Sequence, residues 1–313
     1  MAFSKTSKSA LVITGLGFGM ALGVAAGTLV IAPNLDGAPS AAVSGDDALR
    51  EEHRDLLQKN KDLTAQSDSA DSLVAGLSAD AISGALDGRD VAIIATGDAT
   101  ERDIAGVREM LNTAGAADSG TISLANEFLH PDSGDKLKSI VANVLPAGAE
   151  LDEDDLSAGR HTGQALAASL LRNPETTEPL ATSEDRGALL QALREASLIN
   201  YEDGTILPAQ AVVVVMGRGG GQYYHDNLVS FANSLDEAGS YTVVAGRLQA
   251  AGEGRVIDTL RQESEISTVD SINRKFAQLA TTLAVVEQLA GQSGAYGSGP
   301  GAEAAAPPLP QGE

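Results

Sequence analysis

Between Ala10 and Ala32 the chain runs for 23 residues without a charged side chain. A helix of that length reaches roughly 34 Å, enough for a hydrocarbon core of about 30 Å. Any water-soluble fold must therefore be built from residue 33 onward. Lys5 and Lys8 precede the segment, while Asp36, Asp46 and Asp47 lie beyond it. The positive-inside rule then leaves residues 1–9 in the cytoplasm and exports the remainder. A cleavable signal has an apolar region of about 7–15 residues, so the greater length favours an uncleaved transmembrane anchor over 10–32. Ser40, Ala41 and Ala42 still supply the small residues that a cleavage would need.

Within the segment, Gly15, Gly19, Gly23 and Gly27 recur every fourth residue. Glycine is a poor helix former in water, but in lipid, small residues spaced by four let two helix backbones approach closely. The stripe is either a packing surface in the membrane or the general glycine enrichment of membrane helices.

Residues 33–45 form a Pro- and Gly-containing linker. From there to about residue 80, Leu49, Leu56, Leu63 and Leu77 fall at seven-residue spacing, with Ala70 at the missing beat. With these as d positions, the a positions are His53, Asn60, Ser67 and Val74. This predicts a coiled coil over 46–80 with a polar a layer, in which Asn60 is compatible with a dimer. The flanking Arg50, Leu57, Glu52 and Lys59 give no clear set of cross-strand ion pairs. Self-pairing, a heterologous partner helix and an unpaired spacer all remain open.

The net charge of −22 argues against nucleic acid and anionic headgroups as partners. There is no cysteine, so disulfides and thiolate chemistry are excluded. Tryptophan is absent and aromatics make up 3%, leaving a core of Ala, Val, Leu and Ile.

A globular domain is predicted over 86–292. Apolar runs at Val91–Ala95, Ala211–Met216 and Tyr241–Gly246, with a shorter one at Thr121–Leu124, read as strands. They alternate with helical stretches near 101–111, 134–144, 155–172, 184–197 and 273–290. That alternation implies a mostly parallel sheet of four or five strands, covered on both faces in three layers. The last helix, with Phe276, Leu279, Ala280, Leu283, Val286 and Ala290, reads as amphipathic with one buried face. Residues 293–313, rich in Gly, Pro and Ala, read as a disordered tail.

Little here announces chemistry. The loop Gly217, Arg218, Gly219, Gly220, Gly221 comes directly after a strand and resembles a phosphate cradle. However, Gln222 stands where a dinucleotide fingerprint needs glycine, and the Lys-Ser/Thr of a phosphate loop is missing. A flexible turn is the plainer reading, with an anion site on Arg218 and backbone N–H groups as the minor one. His53, His130, His161 and His225 are scattered, as are the four methionines, so no cofactor is implied. Copper stays open, without a visible ligand cluster. "ELDEDDL" (150–156) lacks the pattern of a calcium loop and reads as the solvated start of the helix after it. "GQSGA" (291–295) misses the nucleophile elbow. Asp270 reads equally as a helix N-cap or an acid. No catalytic constellation stands out, and a non-enzymatic protein is expected.

The membrane segment, the heptads and the stretches "ISLANEFLHPDSGDKLKSIVANVLPAG", "LREASLINY", "ISTVDSI" and "AYGSG" together resemble an actinobacterial family. That family contains the mycobacterial copper transporter MctB and the corynebacterial cell-separation protein SteB. The resemblance covers most of the chain, to about residue 299. It implies either copper homeostasis through an outer-membrane channel, or control of daughter-cell separation with a partner protein and peptidoglycan hydrolases. A barrel needs many alternating strands of about ten residues, which this sequence does not offer. The expectation is therefore a cell-membrane anchor, a coiled-coil stalk and an extracytoplasmic α/β domain that binds envelope partners, with copper efflux as the alternative.

Overall fold

In the computed structural model, residues 45–239 and 241–310 are described, the side chains of 45–49 excepted. The segment 10–32, with Gly15, Gly19, Gly23 and Gly27, lies outside the described residues. Among those described, no helix is long and apolar enough to cross a membrane. The chain divides into two units, one ending at Leu77 and one beginning at Ser78.

Among the described residues, the first unit consists of helix α1, Gly45–Ile82, whose last turn counts with the second unit. Its 38 residues carry few β-branched side chains and no proline, so nothing in the sequence interrupts it.

The second unit is an α/β domain. Its elements are β1 (Asp90–Ala95), α2 (Glu101–Thr113), β2 (Ala117–Leu124), α3 (Gly134–Asn143), α4 (Ala158–Leu170), α5 (Ser183–Glu195), β3 (Ile199–Asn200), β4 (Ala211–Val215), α6 (Gln222–Glu237), β5 (Tyr241–Ala245), α7 (Val256–Glu263), β6 (Ser267–Val269), α8 (Lys275–Leu289) and β7 (Ala295–Tyr296). The sheet order is β3-β2-β1-β4-β5-β6-β7. All pairs are parallel except β2–β3.

Both sheet faces are buried, which is why the strands read as unbroken apolar runs. Ile94, Ile122, Val212, Val214 and Val244 share one core with Leu166, Leu228 and Phe231 of the layer formed by α3 to α7. Their alternating neighbours Val91, Ile93, Val213, Val215 and Val243 are also buried, on the side where α2 and α8 pack together against the sheet. Thr100 caps α2 by accepting from the N–H of Asp103, and Ser157 and Thr182 cap α4 and α5 in the same way.

Four expectations change. The sheet has seven strands rather than four or five, because β3, β6 and β7 have two or three residues each and are too short to show a periodicity. Helix α8 is not one-faced: Ala277 to Val285 are buried without interruption, Thr281 and Thr282 included. Phe276 and Val286 are only half-buried. A helix packed on a sheet with a second helix alongside it keeps too little solvent face for a stripe to define. The acidic run is not the start of α4. Asp152 accepts from the N–H groups of Asp154 and Asp155 at 2.9 and 3.0 Å, in a turn ahead of the helix. Lastly, the chain from Gly294 to Pro310 is ordered rather than a loose tail. β7 extends the sheet, Tyr296 bridges to Ala304, and Pro307 is buried.

Candidate functional site

A doubly wound sheet binds ligands in the crevice beyond the carboxyl ends of its strands, where the strand order reverses. Here the reversal falls between β1 and β4. Thr96-Gly97-Asp98 leaves the first strand and Met216-Gly217-Arg218-Gly219 the second.

The chain's own Asp98 occupies this crevice. Its carboxylate accepts from the N–H of Gly219 at 2.9 Å, the hydroxyl of Thr96 at 2.6 Å and the phenol of Tyr224 at 2.7 Å. Gly217 adds a further backbone N–H bond. Glycine is needed at 217 because a Cβ there would lie 2.1 Å from the carbonyl oxygen of Asp98. Burial alone would raise the Asp98 pKa, but the bonds from Thr96, Tyr224, Gly219 and Gly217 outweigh it and hold the group below the ordinary value. Burial, then the Asp98 charge, pushes the Tyr224 phenol well above its ordinary value. An acid held ionised and a phenol held protonated are poorly placed to exchange protons near neutral pH.

The glycine loop is thus an anion cradle whose anion belongs to the chain. Beside it lies a cleft of about 290 Å3 lined by Arg218, Gly219, Gly220, Gly221, His225 and Arg255, among others. Arg255 is committed to the carbonyl of Gly220 at 3.0 Å, and Arg218 is exposed at the rim. His225 bonds to Thr259 at 2.9 Å and to Asp226 at 2.8 Å.

A second caged carboxylate ends β6. Asp270 is not a helix cap, since Arg274 precedes the first residue of α8. It is fully buried, pairs with the buried Arg261 at 2.9 Å, and accepts from the Ser271 hydroxyl at 2.8 Å. The N–H groups of Ser298 and Gly299 complete its shell at 2.8 and 3.0 Å. Arg261 in turn donates to the carbonyls of Tyr296 and Pro300 at 2.7 and 2.5 Å. Gly297 is required here twice over. Its φ is +129°, and a Cβ would sit 2.3 Å from the Asp270 carboxylate. "ISTVDSI" and "AYGSG", far apart in sequence, are therefore two halves of one cage, and this is what orders the C-terminal segment.

Of the other expected site residues, Leu56, Asn60 and Leu63 stand exposed on α1, with Leu56 at 52% and Leu63 at 61%. Leu49 lies on the same helix, its side chain outside those described. Among the described residues, no three His, Asp or Glu side chains gather as a metal site would require. Asp98 and Tyr224 escape a sequence reading. The one trace is an acid placed shortly after an apolar strand.

A doubly wound α/β domain with its switch-point crevice filled from within is the class that fold and site define. The chain belongs to the family described as "Copper transport outer membrane protein, MctB", which it matches over residues 7–307. It is 34% identical over 275 residues to proteins named copper transporter MctB from Mycobacterium bovis and Mycobacterium tuberculosis, covering 82% of this chain and 87% of theirs. To the protein of that name from Mycobacterium leprae it is 31% identical over 233 residues, covering 69% and 73%.

Proposed function

We propose that the protein is a non-enzymatic component of copper transport in the cell envelope. In this reading, 10–32 anchors it in the cell membrane and the α/β domain lies on the extracytoplasmic side. The membership of the chain in a family of that description, along nearly its whole length, carries this reading. Copper is cargo, and the α/β domain serves as an accessory or docking domain. Its sheet is open, mostly parallel and covered on both faces, whereas a lipid-spanning sheet is closed. The self-filled crevice at Asp98 fits a role in binding rather than turnover.

The test is cell-associated copper after a copper challenge in a deletion strain, beside wild type and a complemented strain. Raised copper that returns to the wild-type level with the gene supports transport; unchanged copper overturns it. The 38-residue helix α1 ahead of the α/β domain favours a second reading, a stalked scaffold in cell separation. Chains of unseparated daughter cells in the same deletion strain, at normal copper, would support it.

A further inference from the structure

We infer that a second copy of this chain covers the leucine seam of α1, as a parallel, in-register, two-stranded coiled coil with Asn60 set against Asn60. The inference rests on the reading of 10–32 as a membrane anchor, which sets the direction of the helices, and not on copper as cargo.

Leu56, Leu63, Ala70 and Leu77 repeat strictly by seven. A straight helix drifts by about 20° per heptad, so such a row keeps to one face only when helices supercoil together. As a lone helix, α1 leaves Leu56, Leu57, Leu63, Leu73 and Leu77 between 44% and 61% exposed. Polar side chains of α1 bond along the helix itself, on the seam side too, where Thr64 donates to the Asn60 carbonyl at 2.8 Å. Gln58 donates to Asp62 at 2.9 Å, Ser69 to the Ala65 carbonyl at 2.8 Å and Ser72 to the Asp68 carbonyl at 2.8 Å, all at b, c and f positions.

The composition of the seam points to a copy rather than a foreign helix. Parallel in-register pairing sets each g residue against the e residue five positions later on the partner. The pairs are Glu52 with Leu57, Lys59 with Thr64 and Gln66 with Asp71. No like charges meet, and no charge pattern is present that would select a different protein. Asn60 at an a position suits an identical amide opposite it, the arrangement that fixes register in two strands. Direction is set by the anchor: 12 residues, 33–44, separate the uncharged segment from the start of α1. Two copies held in one membrane therefore emerge side by side and point the same way.

The absence of cysteine makes the test clean. His53→Cys and Ser67→Cys place single thiols on the seam, and Ala65→Cys places one on the outward face. The full-length variants are oxidised mildly in membranes and separated without reductant. The expected result is a covalent dimer at twice the chain mass for both seam variants, about tenfold or more above Ala65→Cys, because only facing thiols reach disulfide distance. In the Ser67→Cys background, the double change Leu56→Asp and Leu63→Asp abolishes the dimer while the α/β domain melts as before. Equal cross-linking at all three positions, or none on the seam, overturns the inference. So does a covalent adduct with a different protein, or a His53→Cys to Ser67→Cys bond without self-pairs, which would mark an antiparallel arrangement.

Discussion

At the scale of single residues, carboxylates do the positioning work in this domain, and they do so with opposite signs. Asp98 satisfies a glycine loop whose backbone donors would otherwise be stranded. Asp98→Ala should therefore lower unfolding stability by about 2–3 kcal/mol in urea titrations. Because the folded-state pKa of Asp98 is depressed, its stabilising effect is present above the ordinary value of 3.8 and lost as pH falls through the folded value. Stability curves of wild type and Asp98→Ala should accordingly converge in acid. Asp236 does the reverse. Burial, and after it the neighbouring Glu265 and Glu237, raise its pKa to about 6. The folded form then holds a proton that the unfolded form has released, so stability falls as pH climbs from about 4 to 6. The group is partly exposed, and solvent screening discounts its effect to roughly 1 kcal/mol. Asp236→Asn keeps an oxygen for the Thr242 N–H, and should raise the melting temperature at pH 7 while removing that part of the pH dependence.

At the scale of elements, the most informative piece is the shortest. β7 has two residues, and no propensity argument would find it; the buried pair Arg261–Asp270 creates it by demanding donors and acceptors from the backbone of Tyr296 to Pro300. Asp270→Asn leaves Arg261 buried without its counter-charge. It should destabilise the domain by about 3–5 kcal/mol. Amide exchange at Ser298 and Gly299 should rise ahead of global unfolding, and unchanged exchange there would show that the cage does not hold the segment. Helices α2, α3, α4, α5 and α8 and the central strands are legible in sequence as local patterns, whereas α6 (Gln222–Glu237) and α7 (Val256–Glu263) are not among the stretches that read as helical. α8 shows the limit of that legibility. Its apolar stripe is plain, but which residues it buries depends also on α2 packing against it, and buried Thr281 and Thr282 carry no signal of that neighbour.

At the scale of the whole molecule, the division between Leu77 and Ser78 predicts that residues 78–313, produced alone, unfold in one cooperative transition at the melting temperature of the full chain. A lower or broadened transition would tie the stalk to the stability of the domain. Sequence by itself determined the order of parts: an uncharged span, a heptad helix, and apolar runs alternating with helices. These are local and periodic properties, and burial on both faces of a parallel sheet writes them directly into the chain. It also carried the family resemblance. Only the tertiary structure decided that the glycine loop is filled by Asp98, that Asp270 and "AYGSG" form one cage, and that the C-terminal segment is part of the sheet. Each of these is a bond between residues remote in sequence. A buried carboxylate will take N–H donors from whichever segment the fold brings within about 3 Å, and no local pattern records which segment that will be.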